Sequence, residues 1–112
     1  MALVAEQAAF LIDFGNLVRF ATEQGFVVTA GELHRPVEMQ QLYVKTGRSK
    51  TMDSWHLKRL AGDLNFFKDG KLIYDVEALR PIGAYWESLH HKNRWGGNFR
   101  SFKDVPHFER QV

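Results

Sequence analysis

Apolar residues recur at helical spacing through the first quarter of the chain. Leu3, Phe10, Phe14, Leu17 and Ala21 follow intervals of seven, four, three and four, which stacks them on one helix face. Val4, Leu11 and Val18 widen that face. The pattern predicts a helix over residues 4–24, packed on a sheet and stopped by Gly25. Phe26-Val27-Val28-Thr29-Ala30 is rich in β-branched residues and predicts a strand. Pro36, with Glu38 close behind, suits a first helical turn and starts a second helix that runs to about Val44. Residues 46–53 are polar and basic around Gly47, which predicts a loop, the segment expected to move most.

Residues 61–67 form an apolar run that leads into Lys68-Asp69-Gly70-Lys71 and then Leu72-Ile73-Tyr74. Asp-Gly between two apolar runs predicts a hairpin, because a type I′ turn needs positive φ at both central residues. Residues 76–90 read as a helix entered through Pro81 or bent there, with Ile82, Tyr85, Trp86 and Leu89 on one face. From residue 95 on, short apolar groups alternate with glycines and charges. Irregular structure and a closing strand near residues 107–109 are expected. Helix, strand, helix, hairpin, helix and strand make an α+β domain, a small antiparallel sheet with helices packed on it. One domain should span residues 1–112.

Composition narrows the function. Cys is absent, so no disulfide framework, thiolate zinc site or cysteine nucleophile is available. No apolar run approaches the roughly 18–20 residues of a membrane span. The first basic residue is Arg19, and Glu6 and Asp13 interrupt the apolar start, a poor match to a secretory signal. Synthesis in a cytoplasm is therefore expected. The net charge is +2, with basic residues gathered in residues 45–59 and 92–103. That suits an anionic partner but falls well short of a dedicated nucleic-acid binder, so no nucleic acid is expected.

The five histidines are His34, His56, His90, His91 and His107. Without Cys, a zinc site must use His and carboxylates, with three protein ligands and an open position for water in a catalytic one. His56 and Asp63 are separated by six residues, a spacing suited to a turn that feeds a strand. Asp104 and His107 lie three apart across Val105-Pro106, and the proline stiffens the link. Such a pair can place one group on a metal and the other beside it. On spacing alone, surface histidines and ordinary capping aspartates are the better account of both pairs. His90-His91 reads as a solvated helix end, since adjacent helical residues point about 100° apart.

The combination is more specific. Ser54-Trp55-His56-Leu57-Lys58-Arg59-Leu60-Ala61-Gly62-Asp63 resembles the Ser-x-His-x(6)-Asp signature of zinc peptidases that cut peptidoglycan peptides. These are the D-alanyl-D-alanine carboxypeptidases and the phage L-alanyl-D-glutamate endopeptidases. Trp95-Gly96-Gly97-Asn98-Phe99 and Asp104-Val105-Pro106-His107-Phe108-Glu109 resemble the family's closing motif. Arg35 with Gln40 and Leu42-Tyr43 resembles its upstream Arg-x(4)-Gln segment, and Gly47-Arg48 falls where many members have Gly-Arg. The resemblance spans residues 25–109 in the family's order. One departure is Arg59, where many members have Gly three residues after the first His.

The resemblance implies a hedgehog/D-Ala-D-Ala-peptidase-like fold and a Zn²⁺ held by His56, Asp63 and His107. It implies that Asp104 is the general base, which requires its ordinary pKa of about 3.9 to be raised. Arg35 would bind substrate, since its fork matches a carboxylate. A surface salt bridge is the plain alternative for it. Ser54 either meets substrate or caps the His56 turn. Gln40 joins the substrate-binding group by ordering the helix beside Arg35. Trp95 with its glycines reads as a wall of the cleft, with core packing the competing use. The activity implied is hydrolysis of a peptidoglycan stem-peptide bond by a monomeric L-alanyl-D-glutamate endopeptidase. A phage or prophage enzyme of this kind is made in the cytoplasm and acts on the cell wall after release. A D-alanyl-D-alanine carboxypeptidase and a non-catalytic zinc-fold binding or phage structural protein are the alternatives.

Overall fold

A computed structural model describes residues 2–49 and 54–112. Helix α1 (Ala2–Glu23) leads into strand β1 (Val27–Ala30), helix α2 (Val37–Lys45) and a 3₁₀ turn at Trp55–Lys58. Strand β2 (Ala61–Lys68), strand β3 (Lys71–Ile73) and helix α3 (Val76–Leu89) follow. Strand β4 (Asn93–Trp95), a second 3₁₀ turn at Gly96–Asn98 and strand β5 (His107–Arg110) complete the chain. The expected α+β order is present. Strand β4 and both 3₁₀ turns were not foreseen. The expected loop falls partly outside the described residues, at 50–53.

All strand pairs are antiparallel, in the order β1-β2-β5-β4, with β3 also on β2. Strand β2 is the hub. Its residues 64–67 pair with β1, 66–68 with β3 and 61–63 with β5. The Asp69-Gly70 hairpin forms as read, with φ of 53° and 77° at its two central residues. Asp75 caps α3 by accepting from the Ala78 amide. Pro81 lies in the second turn of α3, where its missing N–H removes a single backbone bond near the helix start.

Helices α1 and α3 pack on each other and on the sheet. Phe10, Phe14, Leu17 and Ala21 are buried as the spacing predicts. Leu3 of the stripe and Val4 and Leu11 of its wider face are exposed, which corrects the reading at those three positions, whereas Val18 packs on the core. Leu11 lies about 100° around the helix from Phe10, at the edge of the packed face. Val4 and Leu11 instead rim a shallow apolar hollow with Leu33 and Ala61. Trp86 centres the core, edge-on to Phe10, Phe14 and Phe108 at ring separations of 5.5, 6.3 and 6.0 Å. Its indole N–H donates to the carbonyls of Arg94 and Glu109, which ties α3 to β4 and β5. No helix of the described residues is long and apolar enough to cross a membrane.

Candidate metal centre

Two short elements bring the chemistry together. The 3₁₀ turn at Trp55–Lys58 carries His56, and the Ser54 hydroxyl caps it by accepting from the His56 amide at 3.2 Å. Arg59 ends the turn in the left-handed region, φ 57°. That is why glycine suits this position. Arg59 lines the apolar hollow and is absent from the cleft lining. The chain then enters β2, where Asp63 stands opposite His107 of β5 in the antiparallel register. Cross-strand partners on one face lie close enough for their side chains to meet.

The three side chains converge. His56 Nε2 lies 3.2 Å from His107 Nδ1, and Asp63 Oδ1 lies 3.3 Å from each. Their neighbours fix which ring nitrogen holds the proton. His56 Nδ1 is 2.8 Å from the Leu33 carbonyl, which can only accept, so Nδ1–H donates and Nε2 keeps its lone pair. His107 Nε2 is 2.5 Å from Glu109 Oε1, which likewise accepts and leaves Nδ1 as the lone pair. Three electron-rich atoms therefore face one another across a buried point. A tetrahedral zinc ion with ligand bonds of about 2.0 Å holds its ligand atoms about 3.3 Å apart. The donor set and spacing fit such a cation, and these residues form a group able to hold a metal.

The titration behaviour of the protein without metal carries the same message. Burial works against the Asp63 carboxylate, but hydrogen bonds from His107 and His56 outweigh it and lower its pKa to about 2. Burial also works against a charged His107, yet hydrogen bonds to Asp63 and Glu109 raise it to about 9. A proton on His107 relieves part of the crowding that a cation would relieve fully.

Asp104 sits in the loop before β5, with Oδ2 4.0 Å from His107 Nδ1. Its backbone is pinned: its amide donates to the Gly96 carbonyl at 2.9 Å, and its own carbonyl accepts from the His107 amide. A Cβ on Gly96 would come within 2.0 Å of the Asp104 carbonyl oxygen, so only glycine lets the two segments touch. Burial pushes the Asp104 pKa up, and the Asp63 charge adds to the shift. His107, His56 and Arg35 pull the other way. The base sought in the sequence needs an upward shift of this sign.

The cleft above these groups has a volume of about 450 Å³ and is lined by Arg35, Arg48, Ser54, Asp104 and His107 among others. Gln40 is fully buried behind this wall. Its Oε1 accepts from Arg35 Nη1 at 2.6 Å, and its amide donates to Ser49 Oγ at 2.8 Å. Arg35 also pairs with Glu32, a residue the sequence reading passed over. Trp95 is wholly buried and its indole N–H donates to the Val105 carbonyl. It is therefore core and not a cleft wall. The ring fills the space that a Cβ on Gly83 or Gly97 would need. Glu109 was also missed. Its signal is period two: His107 and Glu109 are two apart on a strand and so share a face.

Residues 47–110 match the sequence profile of the D-alanyl-D-alanine carboxypeptidase family. The matched stretch holds His56, Asp63, Asp104 and His107, whereas Arg35 and Gln40 precede it. No curated protein sequence is similar enough to match. Among solved structures, the L-Ala D-Glu endopeptidase ChiX of Serratia marcescens superposes with a TM-score of 0.69 at 24% identity, over 85% of this chain and 75% of that one. That likeness shows a shared fold. The chain belongs to the D-alanyl-D-alanine carboxypeptidase family of peptidases.

Proposed function

We propose that this chain is a zinc-dependent L-alanyl-D-glutamate endopeptidase acting on the peptidoglycan stem. The observation that carries the proposal is the convergence of His56 Nε2, Asp63 Oδ1 and His107 Nδ1 within 3.3 Å of one another, beside Asp104. His56, Asp63 and His107 would hold the ion. Zinc bound there would supply Lewis-acid polarisation of a peptide carbonyl and an acidified water.

The protein groups have separate tasks. The Leu33 carbonyl and Glu109 hold the two imidazoles in the tautomers that leave their inner nitrogens free. Asp104 takes a proton from the attacking water and returns it to the leaving amine. Its raised pKa makes it a better base than a solvated aspartate. Ser54 and Arg35 border the cleft where the substrate would lie, with Glu32 and Gln40 fixing Arg35 in place. The chain works as a monomer and as one domain over residues 1–112. The sequence resemblance further supports a phage or prophage lysis enzyme, made in the cytoplasm and released to the wall. The family description favours a second reading, a D-alanyl-D-alanine carboxypeptidase.

Digestion of purified peptidoglycan, with new termini identified by mass spectrometry, tests the proposal. New D-Glu amino termini are expected. Asp104→Asn should lower the rate by roughly 10²–10⁴-fold while retaining its zinc. Released D-Ala would replace the endopeptidase with the carboxypeptidase. Zinc binding without cleavage of any bond would replace both with a non-catalytic protein.

A further inference from the structure

Two arginines line the cleft, and they are not equivalent. Arg35 is largely spent. Its Nε and Nη2 go to the Glu32 carboxylate, and its Nη1 goes to Gln40 and Ser54. Its charge is matched by a carboxylate three residues away. Arg48 is exposed, and among the described residues no carboxylate lies within ion-pair range of it. Its guanidinium lies over the Tyr43 ring at 4.8 Å, and that of Arg35 lies over the same ring at 4.7 Å.

Arg48 is nevertheless held in place. Gly47, at φ 80°, turns the chain out of α2. The amides of Arg48 and Ser49 both donate to the Tyr43 carbonyl, at 2.8 and 3.0 Å. Ser49 Oγ accepts from the buried Gln40. Tyr43 is itself anchored, its hydroxyl donating to Glu32 at 3.1 Å. A stacked guanidinium on a pinned backbone loses little freedom on binding. Among the described residues, the cleft thus offers in Arg48 a prearranged cation with no internal counter-charge.

We propose that Arg48 reads a free carboxylate on the substrate. The enzyme would then select stem peptides whose D-glutamate keeps its α-carboxylate over those in which that group is a carboxamide. The inference rests on the endopeptidase reading, in which this glutamate supplies the nitrogen of the scissile bond and its α-carboxylate lies two bonds from that nitrogen. A carboxylate accepts two charge-assisted hydrogen bonds from the fork, whereas a carboxamide has one acceptor oxygen and no charge.

The test uses two synthetic stem tripeptides that differ only in carboxylate against carboxamide at that glutamate. Zinc-loaded wild type, Arg48→Gln and Arg48→Lys are compared by kcat/KM, with thermal melting to verify folding. Wild type should favour the carboxylate peptide by about 10- to 100-fold, the range of a charge-assisted hydrogen bond. The ratio should fall towards one in Arg48→Gln, and Arg48→Lys should restore part of it. A wild-type ratio near one, or an unchanged ratio in folded Arg48→Gln, overturns the role of Arg48 and leaves the endopeptidase standing. Cleavage of neither peptide by wild type overturns the endopeptidase reading, and the selectivity with it.

Discussion

Strand β5 carries two buried polar clusters, one on each face. His107 and Glu109 face the cleft, whereas Phe108 and Arg110 face the core. On the core side, Arg110 pairs with Asp13, its Nε donates to Asn93 at 2.9 Å, and Asn93 donates onward to the Trp86 carbonyl. Arg110 also lies 3.6 Å from Glu6, so one fixed guanidinium serves two carboxylates, and Glu6 Oε2 accepts no hydrogen bond. On the cleft side, two ring nitrogens and a carboxylate oxygen face each other within 3.3 Å, with only a proton on His107 to relieve them in the absence of metal. Burial is similar, but only the core cluster contains a permanent cation of its own. The core cluster locks α1 to the sheet. The cleft cluster is the proposed metal site.

Breaking the core cluster should have the largest effect on folding. Arg110→Ala strands the Asp13 carboxylate in the interior and should cost about 3–5 kcal/mol in urea unfolding. Removing both charges, as Arg110→Met with Asp13→Leu, should recover much of that. If the single and double variants lose equally, the pair is not the lock described.

In the cleft cluster the expected change is in metal response. Zinc at about 1,000 times its Kd stabilises a protein by about 4 kcal/mol. Asp63→Asn should abolish this rise in melting temperature. The metal-free protein should also show the His107 proton. A histidine whose folded pKa is raised adds stability that is complete below about 6.5, its unfolded value, and lost as pH climbs through about 9. Asp63, with its pKa lowered, loses its contribution only as pH falls from about 4 towards 2. Melting temperature without metal should therefore decline from pH 6.5 to 9. Saturating zinc should flatten that decline, because the ion takes the place of the proton. A parallel decline with and without zinc would mean that the ion does not occupy this cluster.

Smaller effects sharpen the same contrast. Glu109→Gln keeps an acceptor for His107 Nε2 but loses the charge, and should weaken zinc affinity by roughly 10- to 100-fold and lower metal-free stability near neutral pH, since Glu109 helps to raise the His107 pKa. Equal zinc affinity in the variant would remove Glu109 from the site. Arg59→Gly relieves a left-handed residue but adds freedom to the unfolded chain. The two terms should nearly cancel, within about 1 kcal/mol, as read by urea unfolding.

What could be read in the sequence was local. The Asp69-Gly70 hairpin, the α1 core stripe and the Ser54-to-Asp63 signature each depend on neighbours a few residues apart. Strand β4 could not be read, because Asn93-Arg94-Trp95 is extended only through its register with β5. Trp95 misled for a similar reason: its burial depends on Gly83, which lies in another element. The overestimated α1 face shows the limit of periodicity, which ranks helix faces without saying how wide a surface covers them. Glu109 was legible by strand period and Glu32 by its spacing from Arg35, yet neither pairing stands out until the partner's position is known.

The most direct test of the metal centre is zinc content after purification without chelator, measured by elemental mass spectrometry for wild type and Asp63→Asn. About one zinc per wild-type chain and almost none in the folded variant is the predicted result. No zinc in wild type, or equal zinc in both, would contradict it.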